Sequence, residues 1–125
     1  MKIAVLVARI LLGLIFVFFG LNGLLNFLPS PPIPGLAGQY VGALVASHYV
    51  LAVAALQVIG GILLLIGRYI PLGLVILAPI IVNILLFHIT MAPASIGPGV
   101  LATVLWIIVF VGVRRAFDGI FAAKV

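Results

Sequence analysis

An all-α integral membrane protein, a bundle of four antiparallel transmembrane helices, is the fold class this sequence predicts, on three observations. First, 67% of the 125 residues are hydrophobic and only 6% are charged, with a mean hydropathy of +1.60. A soluble domain carries about one quarter charged residues and needs polar side chains to cover its surface, so this surface must face lipid. Second, the apolar residues fall into four runs, about 3–27, 49–66, 70–90 and 96–115, each near the ~20 residues that a spanning helix needs. Third, proline and glycine punctuate the junctions between runs. The four spans use most of the chain, so residues 1–125 read as a single domain.

The first run, Ile3 to about Phe27, is about 37 Å long as a helix. That exceeds the ~30 Å hydrocarbon core, so the helix must tilt or project. The run is too long for a signal peptide and no A-x-A-like site follows it, so it reads as a retained helix. Arg9 sits near its start, where the side chain can snorkel to the headgroups. Leu28-Pro29-Ser30-Pro31-Pro32-Ile33-Pro34-Gly35 then ends the helix, because proline removes donors and restricts the residue before it. This proline-rich stretch is the one long loop, on the outer side. Leu36 to Ser47 is expected to form a short interfacial helix, with Gln39 and Tyr40 at headgroup level.

The second run ends at Gly67, a suitable residue just past a helix. Arg68 and Tyr69 make a tight turn, and Pro71 falls in the first turn of the third helix, where proline is tolerated. Pro79 lies inside that helix and predicts a kink. Met91 to Pro98 forms the second outer connection, and the fourth helix exits at Arg114 and Arg115 into a tail with Asp118 and Lys124.

Four spans put both termini and the Gly67–Pro71 turn on one side of the membrane. That side holds Lys2, Arg9, Arg68, Arg114, Arg115 and Lys124, all six basic residues. The positive-inside rule then places both termini in the cytoplasm; the expected location is the cell's inner membrane. The net charge of +5 is a topology signal that also favours anionic lipid. Nucleic acid is not an expected partner, because the basic residues are scattered without an aromatic platform. With no cysteine in the sequence, thiol chemistry and iron–sulfur ligation have no donors.

Polar groups within the spans are the candidate functional residues, since burying them in hydrocarbon is costly. Asn22 and Asn26 share a face of the first helix. Gln57 shares one with Ala54 and Gly61, a small-residue stripe suited to close helix contact. Asn83 follows Pro79 by one turn. The carbonyl freed by Pro79 belongs to Val75, about two turns away, so Asn83 needs a partner on another helix, a water or a ligand. The bland reading of all four amides is interhelical hydrogen bonding, under ~2 kcal/mol each. Gly13, Gly20, Gly23 and the Gly60-Gly61 pair read as packing, and Trp106 as facing a neighbouring helix or subunit.

His48 precedes Arg68 by 20 residues and His88 follows it by 20. Two helices joined at Arg68 bring both imidazoles to similar depth, about 30 Å from the turn. Three readings compete: ligands to a metal or haem, hydrogen-bonding groups for a quinone headgroup, or ordinary interfacial residues. No further ligands of the right type accompany them, so a metal site is not expected. Catalysis within the chain is not expected either: one carboxylate and no thiol build neither a carboxylate pair nor a triad.

Several segments carry a family resemblance: Gly13-Leu14-Ile15-Phe16, Phe19-Gly20-Leu21-Asn22-Gly23, Pro31-Pro32-Ile33-Pro34-Gly35, and Gln57 through Gly67-Arg68-Tyr69-Ile70-Pro71. Most distinctive is Ala78-Pro79-Ile80-Ile81-Val82-Asn83-Ile84-Leu85-Leu86-Phe87-His88. Across nearly its whole length the chain resembles DoxX-like membrane proteins. That resemblance implies a four-helix bundle; named members are subunits of thiosulfate:quinone oxidoreductase or of quinol-oxidase-linked assemblies, and some act with soluble redox enzymes. It draws attention to Asn83 and His88, with Gln57 and Asn22 behind them. His48 departs from the family pattern, in which a small residue usually precedes the tyrosine.

The leading expectation is a noncatalytic, redox-associated membrane subunit that contacts quinone in the outer half of the bundle through Asn83, His88, Gln57 and Asn22. No intrinsic cofactor is expected; quinone or lipid are the ligands to look for. Expected partners are membrane lipids and other membrane or redox subunits, or further copies of the chain. The main alternative is a purely structural or assembly subunit of a larger membrane complex. A small-molecule carrier is a weaker third, for want of an internal repeat.

Overall fold

The computed structural model describes residues 2–25, 33–120 and 122–123. Residues 26–32, which hold Asn26, Phe27 and most of the proline-rich loop, and Lys124 lie outside the described residues. The described chain forms α1 (Lys2–Leu25), α2 (Gly35–Ala46), α3 (Tyr49–Ile66), α4 (Ile70–Met91) and α5 (Gly97–Val113), with 3₁₀ turns at Pro93–Ser95 and Arg114–Phe117. Four segments, Lys2–Leu25, Tyr49–Ile66, Ile70–Met91 and Gly97–Phe117, are long and apolar enough to cross a membrane.

Spacing decides which face each helix buries. On α1 the buried residues are Ala8, Leu12, Gly13, Phe16 and Gly20, a stripe that recurs every four positions. It meets Leu64 of α3, Leu74, Leu77, Ile80 and Ile81 of α4, and Ala102, Leu105 and Val109 of α5 in one core. Helix α1 packs against α3 and α5, and α4 packs against the same two, so the four long helices close into a ring. Only 17% to 28% of the most apolar stretch of each span is buried. The exposed remainder includes Leu14, Phe18, Phe19, Leu56, Val75, Leu86 and Val104. Water would not tolerate such a surface, and lipid solvates it.

The tightest contact is between α1 and α3. A Cβ added to Gly13 would lie 2.9 Å from the Gly61 carbonyl oxygen, and one on Gly61 would lie 2.8 Å from that of Gly13. Seven residues further along α1, a Cβ on Gly20 would lie 2.9 Å from the Ala54 carbonyl oxygen. Backbone approaches backbone because Gly13, Gly20 and Gly61 carry no side chain and Ala54 only a methyl group, the usual device of lipid-embedded bundles. Gly60 turns the other way, toward Leu77 of α4. The adjacent glycines thus serve two different neighbours.

Arg9 is the main departure from the sequence reading. Rather than reaching only for headgroups, its half-buried side chain folds onto the end of α3. Its Nη1 donates to the Leu64 carbonyl and, at 3.4 Å, to that of Leu65. The last carbonyls of a helix have no partner within it, and a cation there also complements the helix dipole. Gly67 permits this contact. Its φ of 72° suits glycine, and a Cβ there would lie 2.8 Å from Arg9 Nη1.

Trp106 faces α4. Its Nε1 donates to the Leu74 carbonyl at 3.0 Å, one residue before the Val75 carbonyl that Pro79 deprives of its donor. The indole stacks on Phe110 with ring centroids 5.3 Å apart. Trp106→Phe keeps the ring and removes the donor. We expect it to destabilise the bundle by ~0.6–1.7 kcal/mol, read as a shift in detergent unfolding; an unshifted curve would show that the bond contributes nothing.

Candidate functional site

Gln57, Asn83 and His88, three of the residues singled out above, line one groove. It has a volume of about 480 Å³ and lies among α2, α3 and α4, within the ~300–1,000 Å³ of small-molecule sites. Each helix contributes a face read off its own periodicity. Helix α2 supplies Tyr40, Val41 and Leu44; α3 supplies Val50, Val53 and Gln57; α4 supplies Ile76, Ile80, Asn83, Phe87 and His88, with Pro79 beside them. From Pro79 to His88 the wall rises ~14 Å along α4. Leu56 and Asn83, both exposed, form part of the lining, so the groove opens on the apolar outside of the bundle rather than into its core.

The polar groups in this lining are few and chemically distinct. His88 Nδ1 lies 2.7 Å from the Ile84 carbonyl oxygen. A carbonyl only accepts, so Nδ1 carries a proton, and in the Nδ1–H tautomer Nε2 is an acceptor. The carboxamides of Gln57 and Asn83 have no protein partner among the described residues, and each brings both an N–H donor and a carbonyl acceptor. By contrast, the hydroxyls of Thr90 and Thr103 are satisfied within their own helices, on Leu86 at 2.6 Å and Gly99 at 2.7 Å. The groove therefore offers an acceptor, two amides and the hydroxyl-bearing rings of Tyr40 and Tyr49 along an otherwise apolar channel. It suits a flat, mostly apolar molecule with one or two oxygen functions.

Two other sequence candidates lie elsewhere. Asn22 is partly buried on α1 and does not line the groove. His48 is exposed in the Ser47–His48 turn between α2 and α3, with a left-handed φ of 61°, and does not line it either. Equal depth did not become a shared site. Among the described residues no three His, Cys, Asp or Glu side chains are grouped to hold a metal ion.

Sequence reasoning missed the wall made by α2. Tyr40 lies against Phe87, ring centroids 5.3 Å apart, and Phe87 meets His88 edge to face at 5.1 Å. The signal was present: Ala37, Tyr40, Val41 and Leu44 recur at helical spacing, with Ala37 buried. Their face had no assigned partner until α2 was seen against α3 and α4.

A family model described as DoxX matches residues 4–91, a stretch that contains every polar residue of the groove. No curated protein and no solved structure matches the chain.

Proposed function

Given that this chain belongs to the DoxX family, we propose that it is a noncatalytic membrane subunit of a redox assembly that holds a quinone headgroup in the groove beside α2. The observation that carries this reading is the groove's chemistry: Gln57 and Asn83 without partners among the described residues, and His88 with Nδ1 already engaged so that Nε2 can accept. Amide N–H groups suit the carbonyl oxygens of an oxidised quinone, and Nε2 suits the hydroxyl of the reduced form. Phe87 and Tyr40 provide aromatic surface for a flat ring. The isoprenoid tail would lie along the exposed apolar face beside Leu56.

The proposal also sets the chain in the cell's inner membrane, with both termini cytoplasmic. Its support is the distribution of basic residues, all six of which fall on one side of a four-span chain. The groove would then belong to the outer half of the membrane.

A short-chain benzoquinone added to the purified chain in mild detergent is expected to raise its melting temperature. Asn83→Ala and His88→Ala should each weaken that binding about fivefold, the effect of losing one hydrogen bond worth ~1 kcal/mol. In cells, the same variants should lower partner activity while the protein still accumulates. Loss of the protein itself would favour the structural or assembly reading. A preparation free of quinone and of copurifying protein would count against both.

A further inference from the structure

The opposite end of the bundle carries a second, differently built cavity, which the quinone reading does not use. It has a volume of about 390 Å³ and gathers Lys2 and Arg9 of α1 with Arg114 just beyond α5. Lys2 and Arg9 are seven residues apart and so share one helix face. Gly112 brings α5 close to α1 here, since a Cβ on it would lie 2.7 Å from Val5 Cγ1. The three cations come from two stretches of chain, α1 and the end of α5, and the sequence has a single acidic residue, Asp118, which does not line the cavity. Among the described residues no carboxylate lines the cavity to neutralise them.

Two of the cations are already oriented. Arg9 Nη1 is engaged by Leu64 and Leu65, and Arg114 Nη1 donates to the Val111 carbonyl at 3.0 Å. A guanidinium has five N–H donors in a planar fork, so each arginine keeps donors to spare in a fixed direction. The rest of the wall is apolar, with Val5, Ile70 and Val111. Lys2 and Ile70 are the first residues of their helices, and Arg114 follows the last of α5. The cavity thus sits where the spans end, at the level of lipid phosphates.

We propose that this cavity is a binding site for the phosphodiester of an anionic phospholipid. The spare arginine donors would take the phosphate oxygens, Lys2 would add a point charge, and the acyl chains would run along Val5 and Val111. A freely soluble phosphate would have no use for that apolar wall. The site goes beyond diffuse attraction of a basic face to acidic lipid, because it names three side chains and excludes Arg68 and Arg115.

Thermal unfolding of the full chain in neutral detergent tests it, with phosphatidylglycerol, phosphatidylcholine or inorganic phosphate added. Phosphatidylglycerol alone should raise the melting temperature. The Lys2→Gln/Arg114→Gln variant should need roughly tenfold more of it, having lost charge-assisted contacts. The charge-matched variant Arg68→Gln/Arg115→Gln should respond like wild type. Arg9 is left in place because it also caps α3. Equal effects of the two lipids, equal losses in the two variants, or a full shift from inorganic phosphate would each overturn the assignment. Native mass spectrometry of the wild-type chain gives a readout that does not depend on any variant folding: phosphatidylglycerol should be retained over phosphatidylcholine at equal input, and equal retention overturns the site.

Discussion

Replacing Gly61 by valine is expected to leave little folded protein in the membrane. The added Cβ would stand 2.8 Å from the Gly13 carbonyl oxygen, 2.8 Å from Val17 Cγ2 and 3.0 Å from the Val17 nitrogen. Two of these three atoms belong to backbone, which cannot rotate away as a side chain could. The helices would have to separate, and separation would also open the reciprocal contacts at Gly13 and Gly20. Overpacking a well-filled core costs about 1–3 kcal/mol. A value at or above the top of that range is expected here, because close packing rather than water exclusion drives helix association in lipid. Gly61→Ala should show a smaller loss of the same sign. Gly42→Ala is the control, since nothing lies within 4 Å of a Cβ placed there. Yield in the membrane and unfolding in detergent read the effect; a Gly61→Val protein that melts like wild type would refute the close α1–α3 approach.

The second large effect is expected at Arg9. Arg9→Met keeps a long apolar stem and removes every donor, leaving the Leu64 and Leu65 carbonyls at the end of α3 without their cation. Hydrogen bonds to a charged group are worth about 1.5–3 kcal/mol, and helix-dipole complementarity adds ~0.3–1 kcal/mol. A loss of ~2–3 kcal/mol is therefore expected. Arg9→Lys should recover part of it, since an ammonium can donate but cannot reproduce the fork. Hydrogen exchange at the last turn of α3 separates this from a general loosening. Faster exchange should be confined to that turn and the adjoining Gly67–Tyr69 segment; uniform acceleration across the bundle would assign Arg9 a different role.

These two positions show what a sequence gives away. Helix number follows from hydropathy, and Gly67 and Pro71 mark a junction because their backbone chemistry allows little else. The small residues Gly13, Gly20, Ala54 and Gly61 could be read as an interface, since in lipid there is no other common reason to omit side chains at that spacing. Rotation about each helix axis is harder to read, because it is decided by contacts between helices. The count of residues gave His48 and His88 equal depth, yet His48 falls in the turn that reverses the chain from α2 to α3 and His88 in the groove wall. Arg9 illustrates the same limit. Its position near the start of a span suggested the headgroups, whereas the unpartnered carbonyls that attract it belong to a helix 55 residues away in sequence.

The pairing of α1 with α3 has a bearing on how the protein is made. Of the four spans of this bundle these two are translated before the others, and they share its most extensive interface. Once Gly67 has been synthesised, the glycine contacts and the Arg9 bond have all their participants, so this hairpin can close while α4 and α5 are still being translated. Domains commonly acquire structure from the N-terminus as they emerge. Helix α5, which bridges α1 and α4, then arrives last and completes the ring. Biogenesis of this chain would thus proceed as a nucleated hairpin followed by closure, with Gly61 and Arg9 acting before any groove exists.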